Sequence, residues 1–180
     1  MIDVPSHHLV YGTLNDFVTG EELADTDDER TRQDLSKMMV RDLGYAKENL
    51  EPRRFIETLF SSQFVRSNIE LAVKFEGKIF MLIRYGPGSL VSRERAAIAA
   101  ARVLESKYQI PLAVVTNGRD AELLDAKTGK IVATGMEAIP SREQAKKMFT
   151  DLEFRDAPEE KKREGELRIL NAFDVQICCR

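Results

Sequence analysis

The stretch GKIFMLIRYGPGS, residues 77–89, sets the centre of the expected fold. Its run of five apolar residues, from Ile79 to Ile83, is typical of a strand that is buried on both faces of a sheet. Arg84 follows directly, and a Gly-Pro-Gly turn comes two residues later. A full positive charge at the end of a buried strand needs a partner, because an unpaired charge is costly to remove from water. Either an ion pair across the sheet or contact with a phosphate would provide one.

The residues before this strand predict two further strands. Residues 68–84, NIELAVKFEGKIFMLIR, contain two β-rich runs joined at Glu76-Gly77, which predicts a hairpin. Residues 53–60, RRFIETLF, predict the strand that precedes the hairpin.

The residues after the strand predict a helix, a strand and a second hairpin. Ser92 is expected to cap a helix that runs to about Lys107 and is rich in alanine, so that it can lie close on a sheet. Residues 111–118, PLAVVTNG, then predict a short buried strand. The next hairpin is expected to turn at Thr128-Gly129.

Helices are predicted at both ends of this order. Thr26 and Glu29 form a capping box for a first helix, and Ser141 and Gln144 form one for a later helix. Each helix has an apolar stripe at helical spacing. In the first helix the stripe consists of Leu35, Met38, Met39 and Leu43, and in the later helix of Ala145, Met148, Phe149 and Leu152. A final helix is predicted by the stripe of Leu167, Leu170, Phe173 and Ile177. Residues 153–166 are so highly charged that they indicate either a linker or a fraying helix.

The order of elements predicts an α/β protein, in which helices flank a mixed central β-sheet. A chain of 180 residues is long enough for one such domain. We expect residues 1–152 to form it, and residues 153–180 to be a charged segment and a C-terminal helix that pack on it or extend it.

Charge and composition restrict the classes of function. The net charge is −3, yet residues 52–119 hold eleven Lys and Arg against five Asp and Glu, a balance of +6. This basic centre indicates either an anionic ligand or surface charge scattered over several faces. No apolar run is long enough to span a membrane, and no export signal is recognisable. The only cysteines, Cys178 and Cys179, are adjacent, which excludes a disulfide framework and favours a cytoplasmic location.

Three phrases together carry a resemblance to a known family. They are VTGEELADTDDERTRQDL at residues 18–35, Leu43-Gly44-Tyr45, and VVTNGRDAELLDAKTGK at residues 114–130. In this order and spacing they resemble the stand-alone N-terminal domains of type I restriction enzyme R subunits, over roughly residues 12–135. The resemblance implies a restriction-endonuclease-like core of the PD-(D/E)xK type and partners such as double-stranded DNA, restriction-system subunits or a second copy of the chain.

The resemblance also implies a degenerate nuclease site. In that family an Asp on one strand of the hairpin and a Glu-x-Lys on the other bind Mg²⁺ and orient the attacking water. Those positions here become Asn68, Leu82 and Arg84. Leu82 cannot bind a metal, and Arg84 cannot act as a base. Glu29, Arg32 and Gln33 match the first helix of the family, although a capping box already explains the presence of Glu29. The resemblance therefore implies a domain that binds no cofactor, catalyses no cleavage and contacts nucleic acid through Arg84, Arg93 and Arg95.

Two alternatives stay open. Glu29, Glu57 and Glu70 could form a relocated metal site, which would make the chain an active Mg²⁺-dependent endodeoxyribonuclease. The chain could instead be a protein-interaction module that retains only the fold. Arg84 would then be a structural charge, paired across the sheet with Glu70 or Glu57.

Overall fold

A computed structural model describes residues 9–175, which form two sheets and four α-helices. The small sheet pairs β1 (Thr13–Asn15) with β2 (Glu22–Ala24). The main sheet consists of β3 (Leu50–Phe60), β4 (Gln63–Phe75), β5 (Lys78–Tyr85), β6 (Leu112–Thr116), β7 (Ala121–Asp125) and β8 (Lys130–Thr134). The helices are α1 (Asp27–Arg41), α2 (Val91–Val103), α3 (Arg142–Phe149) and α4 (Glu160–Phe173). No helix in the described part of the chain is long and apolar enough to cross a membrane.

The six strands of the main sheet lie side by side in chain order. All neighbouring pairs are antiparallel except β5 and β6, which are parallel from Met81↔Leu112 to Tyr85↔Thr116. A parallel pair needs a crossover, and α2 provides it. The predicted mixed α/β fold is therefore confirmed.

Helices cover both faces of the sheet. On one face the alanines of α2 are fully buried against the sheet, which lets the helix lie close to it. The C-terminal helix α4 packs on α2, where Leu170 is fully buried and Arg163 donates a hydrogen bond to the Val103 carbonyl at 2.9 Å. On the other face α1 and α3 cover a second core cluster, with Met39 and Ala145 fully buried.

Several local predictions agree with the structure. The Thr26 hydroxyl accepts the Glu29 N–H at 3.2 Å and caps α1, but the expected capping box is only half formed, because the Glu29 carboxylate pairs with Arg32 and Gln33 instead. Ser141 and Gln144 form the expected reciprocal capping box. The hairpin at Glu76-Gly77 is present, with both residues at positive φ, as a two-residue turn requires. The five apolar residues of β5 are all buried.

Other predicted element ends were wrong. Ser92 does not cap α2, because the helix begins at Val91, and the Ser92 hydroxyl donates to the Ser89 carbonyl at 3.2 Å. The helix ends at Val103 rather than near Lys107, since the Ile110 N–H returns to the Ala101 carbonyl and draws the chain back to the sheet.

The charged segment near the C-terminus contains more regular structure than a linker would. Helix α4 begins at Glu160, inside the stretch 153–166. Ile177, Cys178 and Cys179 lie outside the described residues.

Candidate functional site

The candidate site lies where the parallel strands β5 and β6 end. Their carboxyl ends meet there, and α2 begins beside them, an arrangement in which α/β proteins commonly bind ligands. Strand β4 separates from β5 at the same point, because their pairing ends at Leu71↔Ile83 while β4 continues to pair with β3. Glu70 and Arg84, each one residue beyond that last pair, lie at the opening.

Arg84 is held from two sides. Its Nε donates to the main-chain carbonyl of Asn68 at 3.0 Å, and its guanidinium forms an ion pair with Asp174 at 2.9 Å. Both charged side chains are largely buried. The ion pair expected for Arg84 therefore exists, but the expected partners Glu70 and Glu57 were wrong, because Asp174 at the end of α4 lies closer.

Glu70 takes the place of a missing strand partner. Its carboxylate accepts the Tyr85 N–H at 2.8 Å, a hydrogen bond that strand pairing would otherwise satisfy. Burial raises the pKa of Glu70 to about 7, while this hydrogen bond and the charges of Arg84 and Arg32 oppose the rise. Glu70 therefore changes its charge close to neutral pH.

A set of charged and polar side chains on α1, β3 and the loop after β1 lies next to Glu70. We call it the α1 ion cluster; it consists of Asp16, Glu29, Arg32, Gln33 and Arg53. Arg32 pairs with Glu29 and lies 3.6 Å from an Asp16 oxygen. Gln33 donates to both carboxylates, at 2.6 Å to Glu29 and 3.0 Å to Asp16.

Burial and charge shift the pKa values within the α1 ion cluster. Burial, together with the nearby charge of Arg53, lowers the pKa of Arg32 to about 10, so that it remains a cation at neutral pH. Burial alone would raise the pKa of Asp16, but hydrogen bonds from the Thr19 N–H and from Gln33 lower it overall. The cluster thus holds ionised groups of both signs out of water.

The residues at the expected metal positions do not fit Mg²⁺. Leu82 is fully buried among apolar side chains, and Asn68 is exposed and contacts Arg84 only through its main-chain carbonyl. Glu29 and Glu70 already have hydrogen-bond partners, and Glu57 is exposed and paired with Arg66 at 2.7 Å. In residues 9–175 no three His, Cys, Asp or Glu side chains converge closely enough to hold a metal ion.

The other two arginines expected to bind nucleic acid lie in the first turns of α2. Arg93 folds over the Gly-Pro-Gly turn and donates to the Pro87 carbonyl at 3.0 Å. A Cβ at Gly86 would lie 2.1 Å from its Cζ, so the turn needs glycine there while Arg93 keeps this position. Arg95 is exposed, with its guanidinium 5.6 Å from the ring centroid of Phe173.

Asn117 joins the turn after β6 to the turn after β5. Its Oδ1 accepts the N–H groups of Arg119 and Asp120 at 3.0 and 2.9 Å, and its Nδ2 donates to the Gly88 carbonyl at 3.0 Å. The Thr-Asn-Gly phrase thus holds the edge of the site in shape and presents the exposed side chain of Arg119.

Sequence reasoning missed four residues of this region: Asp16, Arg53, Arg119 and Asp174. Arg32 was not missed, because it matches the first helix of the family and lies one helical turn after Glu29, on the same side of α1. Asp174 carried none, because it is 90 residues from Arg84 in the chain.

The chain resembles a known protein family over the strands of its main sheet. A family model described as type I restriction enzyme R protein N terminus matches residues 27–140. These residues include α1 and every strand of the main sheet, and they leave α3 and α4 outside the match. Searches of curated proteins and of solved structures each found no match. The family match covers more than half of the chain, which therefore belongs to the type I restriction enzyme R protein N-terminus family.

Proposed function

We propose that this chain is an R-protein N-terminal domain with a degenerate PD-(D/E)xK site, which does not cleave DNA and which binds duplex nucleic acid without sequence preference. The proposal has two parts, the loss of catalysis and the retention of binding. Different residues support each part, so an experiment can contradict one part and leave the other standing.

The observation that carries the first part is the neutralisation of the site by its own arginines. Arg32 is paired with Glu29, and Arg84 is paired with Asp174. Metal-dependent phosphodiester cleavage needs carboxylate oxygens free to bind the cation and a group to orient the water. A guanidinium stays protonated and has no lone pair to offer, so an arginine can satisfy the charge of these carboxylates but cannot replace the metal in the reaction.

The support for the second part is a group of cations at the edge of the site. Of the eleven Lys and Arg in residues 52–119, six form ion pairs: Arg53, Arg54, Arg66, Lys74, Arg84 and Arg102. Arg93, Arg95 and Arg119 form no ion pair within the described chain, and the elements that carry them all reach the carboxyl ends of β5 and β6. Arg84 is largely buried and already paired with Asp174, so we assign the phosphate contacts to the other three.

The same edge also carries acidic side chains, which limits the strength of binding. Glu94 lies between Arg93 and Arg95 in the chain, and Asp120 follows Arg119. Burial and the charges of Glu94 and Asp120 raise the pKa of Glu122. We therefore expect only about three phosphate contacts. The logarithm of the affinity should then fall with the logarithm of salt with a slope of about −2.7, a loss of roughly 40-fold between 50 and 200 mM salt.

The experiment is fluorescence anisotropy of a labelled duplex titrated with the full chain at both salt concentrations, with Mg²⁺ or Mn²⁺ present and each sample run on a gel. Intact DNA and salt-dependent binding that weakens in Arg95→Ala and Arg119→Ala are the expected results. Arg155→Ala is the matched control, because Arg155 is a half-exposed arginine whose main chain joins Gln109, at the opposite end of β6.

The opposite results would separate the two parts. Cut DNA in the presence of metal, with cutting abolished by Glu70→Gln, would identify an active endonuclease and overturn the first part. No binding at the lower salt concentration would overturn the second part, and would leave a protein-interaction module as the function.

A further inference from the structure

The hairpin formed by β3 and β4 extends beyond the rest of the main sheet. These strands contain 11 and 13 residues, and β4 pairs with β5 only from Leu71 onward. We call the free part, residues 54–69, the arm. Helix α4 covers one of its faces, where Asn171 donates to the Thr58 hydroxyl at 2.9 Å and to the Gln63 carbonyl at 3.1 Å.

The opposite face of the arm is open to solvent. Its side chains are exposed and form three cross-strand pairs: Phe55↔Asn68, Glu57↔Arg66 and Leu59↔Phe64. The relative exposure is 49% for Phe55, 66% for Leu59 and 60% for Phe64. Three large apolar side chains on one continuous face mark a surface that associates with another molecule.

The charge of the arm face disfavours nucleic acid as that molecule. The face has one cation and one anion, and these already pair, with an Arg66 nitrogen 2.7 Å from a Glu57 oxygen. Duplex or single-stranded nucleic acid binds grooves with an excess of positive charge, whereas this face is neutral.

The arrangement of the pairs makes the face complementary to itself. Consider two copies stacked face to face about a two-fold axis that runs parallel to the strands. That axis places β3 of one copy over β4 of the other and keeps each row in place. Leu59 then lies on the partner's Phe64, and Glu57 lies on the partner's Arg66, so the central row contributes two ion pairs between the copies. A two-fold axis across the strands would instead place Glu57 on Glu57 and Arg66 on Arg66.

We propose that the arm face binds the arm face of a second copy of this chain and forms a two-fold symmetric dimer. Six half-exposed side chains offer on the order of 500 Å² on each copy, below the roughly 800 Å² of a standard stable interface. The dimer is therefore weak, with a dissociation constant on the order of 10 to 100 µM.

Charge reversal provides a sharp test. Glu57→Arg gives a face with two cations, and Arg66→Glu gives a face with two anions. Each variant alone should lose the dimer, because the central row then repels itself. An equimolar mixture of the two variants should regain it, because each cation of one variant lies on an anion of the other.

The measurement is sedimentation equilibrium of the full chain from about 5 to about 500 µM, where a weak dimer makes the apparent mass depend on concentration. We expect the wild type and the mixture to approach twice the monomer mass, and each variant alone to remain monomeric. Leu59→Ser with Phe64→Ser should also remain monomeric.

Matched controls reverse the same charges elsewhere. Glu143→Arg and Lys147→Glu each alter an ion pair on α3 whose side chains are 80% and 74% exposed. Each of these two control variants should still form the dimer. Circular dichroism of every variant verifies the fold. A monomeric wild type at the highest concentration would overturn the proposal, as would a dimer that persists in Glu57→Arg alone and in Arg66→Glu alone.

Discussion

Arg84 at the end of β5 forms an ion pair with Asp174 at the end of α4, with 2.9 Å between the guanidinium nitrogen and the carboxylate oxygen. Arg84 lies inside the family match and Asp174 lies outside it. The pair therefore fastens a C-terminal helix to the end of the strand where a nuclease of the proposed type would need a free basic group. It also answers how a full charge is tolerated at the end of a buried strand.

Asp174→Ala should lower the free energy of unfolding by about 2 kcal/mol, less than the ~3–5 kcal/mol found on breaking fully buried pairs, because both side chains keep some contact with water. The substitution leaves Arg84 without its carboxylate in a largely buried position. Urea denaturation at neutral pH measures the change.

A double-mutant cycle serves as the control. Arg84→Met with Asp174→Ala should recover part of the loss, because the unpaired charge is then removed. Additive losses from the two single substitutions would contradict a coupled pair.

Glu70 should make stability depend on pH between about 4.5, its ordinary pKa, and about 7, its pKa in the folded chain. A carboxyl group with a raised folded pKa binds its proton more tightly when folded. Its contribution is therefore fully present below pH 4.5 and is lost as the pH rises through 7. Glu70→Gln keeps an acceptor for the Tyr85 N–H and removes the charge, so at pH 8 the variant should be more stable by up to about 3 kcal/mol.

The measurement for Glu70 is urea denaturation of wild type and variant from pH 5 to pH 8. The difference in the free energy of unfolding between wild type and variant should grow across that range. The other titrating groups are the same in both proteins, so their contributions cancel in the difference. Glu48→Gln, which neutralises an exposed carboxylate, should give a small and constant difference. Parallel curves for wild type and Glu70→Gln would show that burial does not raise this pKa.

Local patterns were enough to predict the elements with strong periodicity. The apolar run from Ile79 to Ile83 identified the central strand, and Thr26 as an N-cap identified the start of α1, because both signals depend on neighbours in the chain. The partners of the site residues could not be predicted in the same way. Asp174 lies next to Arg84 because α4 packs on α2, and the residues near either position in the chain do not predict that packing.

The start of β4 was missed for a different reason. A two-residue hairpin turn requires positive φ, and sequences usually signal it with Asn-Gly or Asp-Gly. Here the turn between Phe60 and Gln63 consists of Ser61 and Ser62, with φ of 48° and 65°. Serine gives no such signal, so the strand was predicted to begin at Asn68 and residues 63–67 were left unassigned.

Ser62→Gly should stabilise the chain by up to about 1 kcal/mol, because glycine adopts positive φ without the steric cost that a Cβ brings. Thermal or urea denaturation measures the gain. Ser89→Gly is the matched control, since Ser89 is exposed and its φ is not positive; it should be neutral or destabilising. Equal effects at the two positions would show that the turn at the tip of the arm is not strained.

Asn117→Ala should lower the free energy of unfolding by about 1–2 kcal/mol, because it removes the acceptor of two N–H groups and the donor to the Gly88 carbonyl. Asn117→Asp keeps the acceptor but cannot donate to Gly88, so its loss should be smaller. Urea denaturation of both variants ranks them. An Asn117→Ala variant with the same free energy of unfolding as the wild type would mean that the two turns do not depend on this side chain.

Arg32→Ala should destabilise the chain by roughly 3 kcal/mol, because Glu29 and Asp16 lose the cation they share inside the α1 ion cluster. If Arg32 neutralises carboxylates as a metal ion would, a small divalent cation should partly replace it in the variant. About 10 mM Mg²⁺ should then restore on the order of 1 kcal/mol to Arg32→Ala and nothing to the wild type. Denaturation with and without Mg²⁺ measures this difference.

The control Glu29→Gln with Arg32→Ala removes one of the carboxylates and should lose the response. A response to Mg²⁺ of equal size in wild type and variant would contradict the idea that the guanidinium occupies the position of a cation.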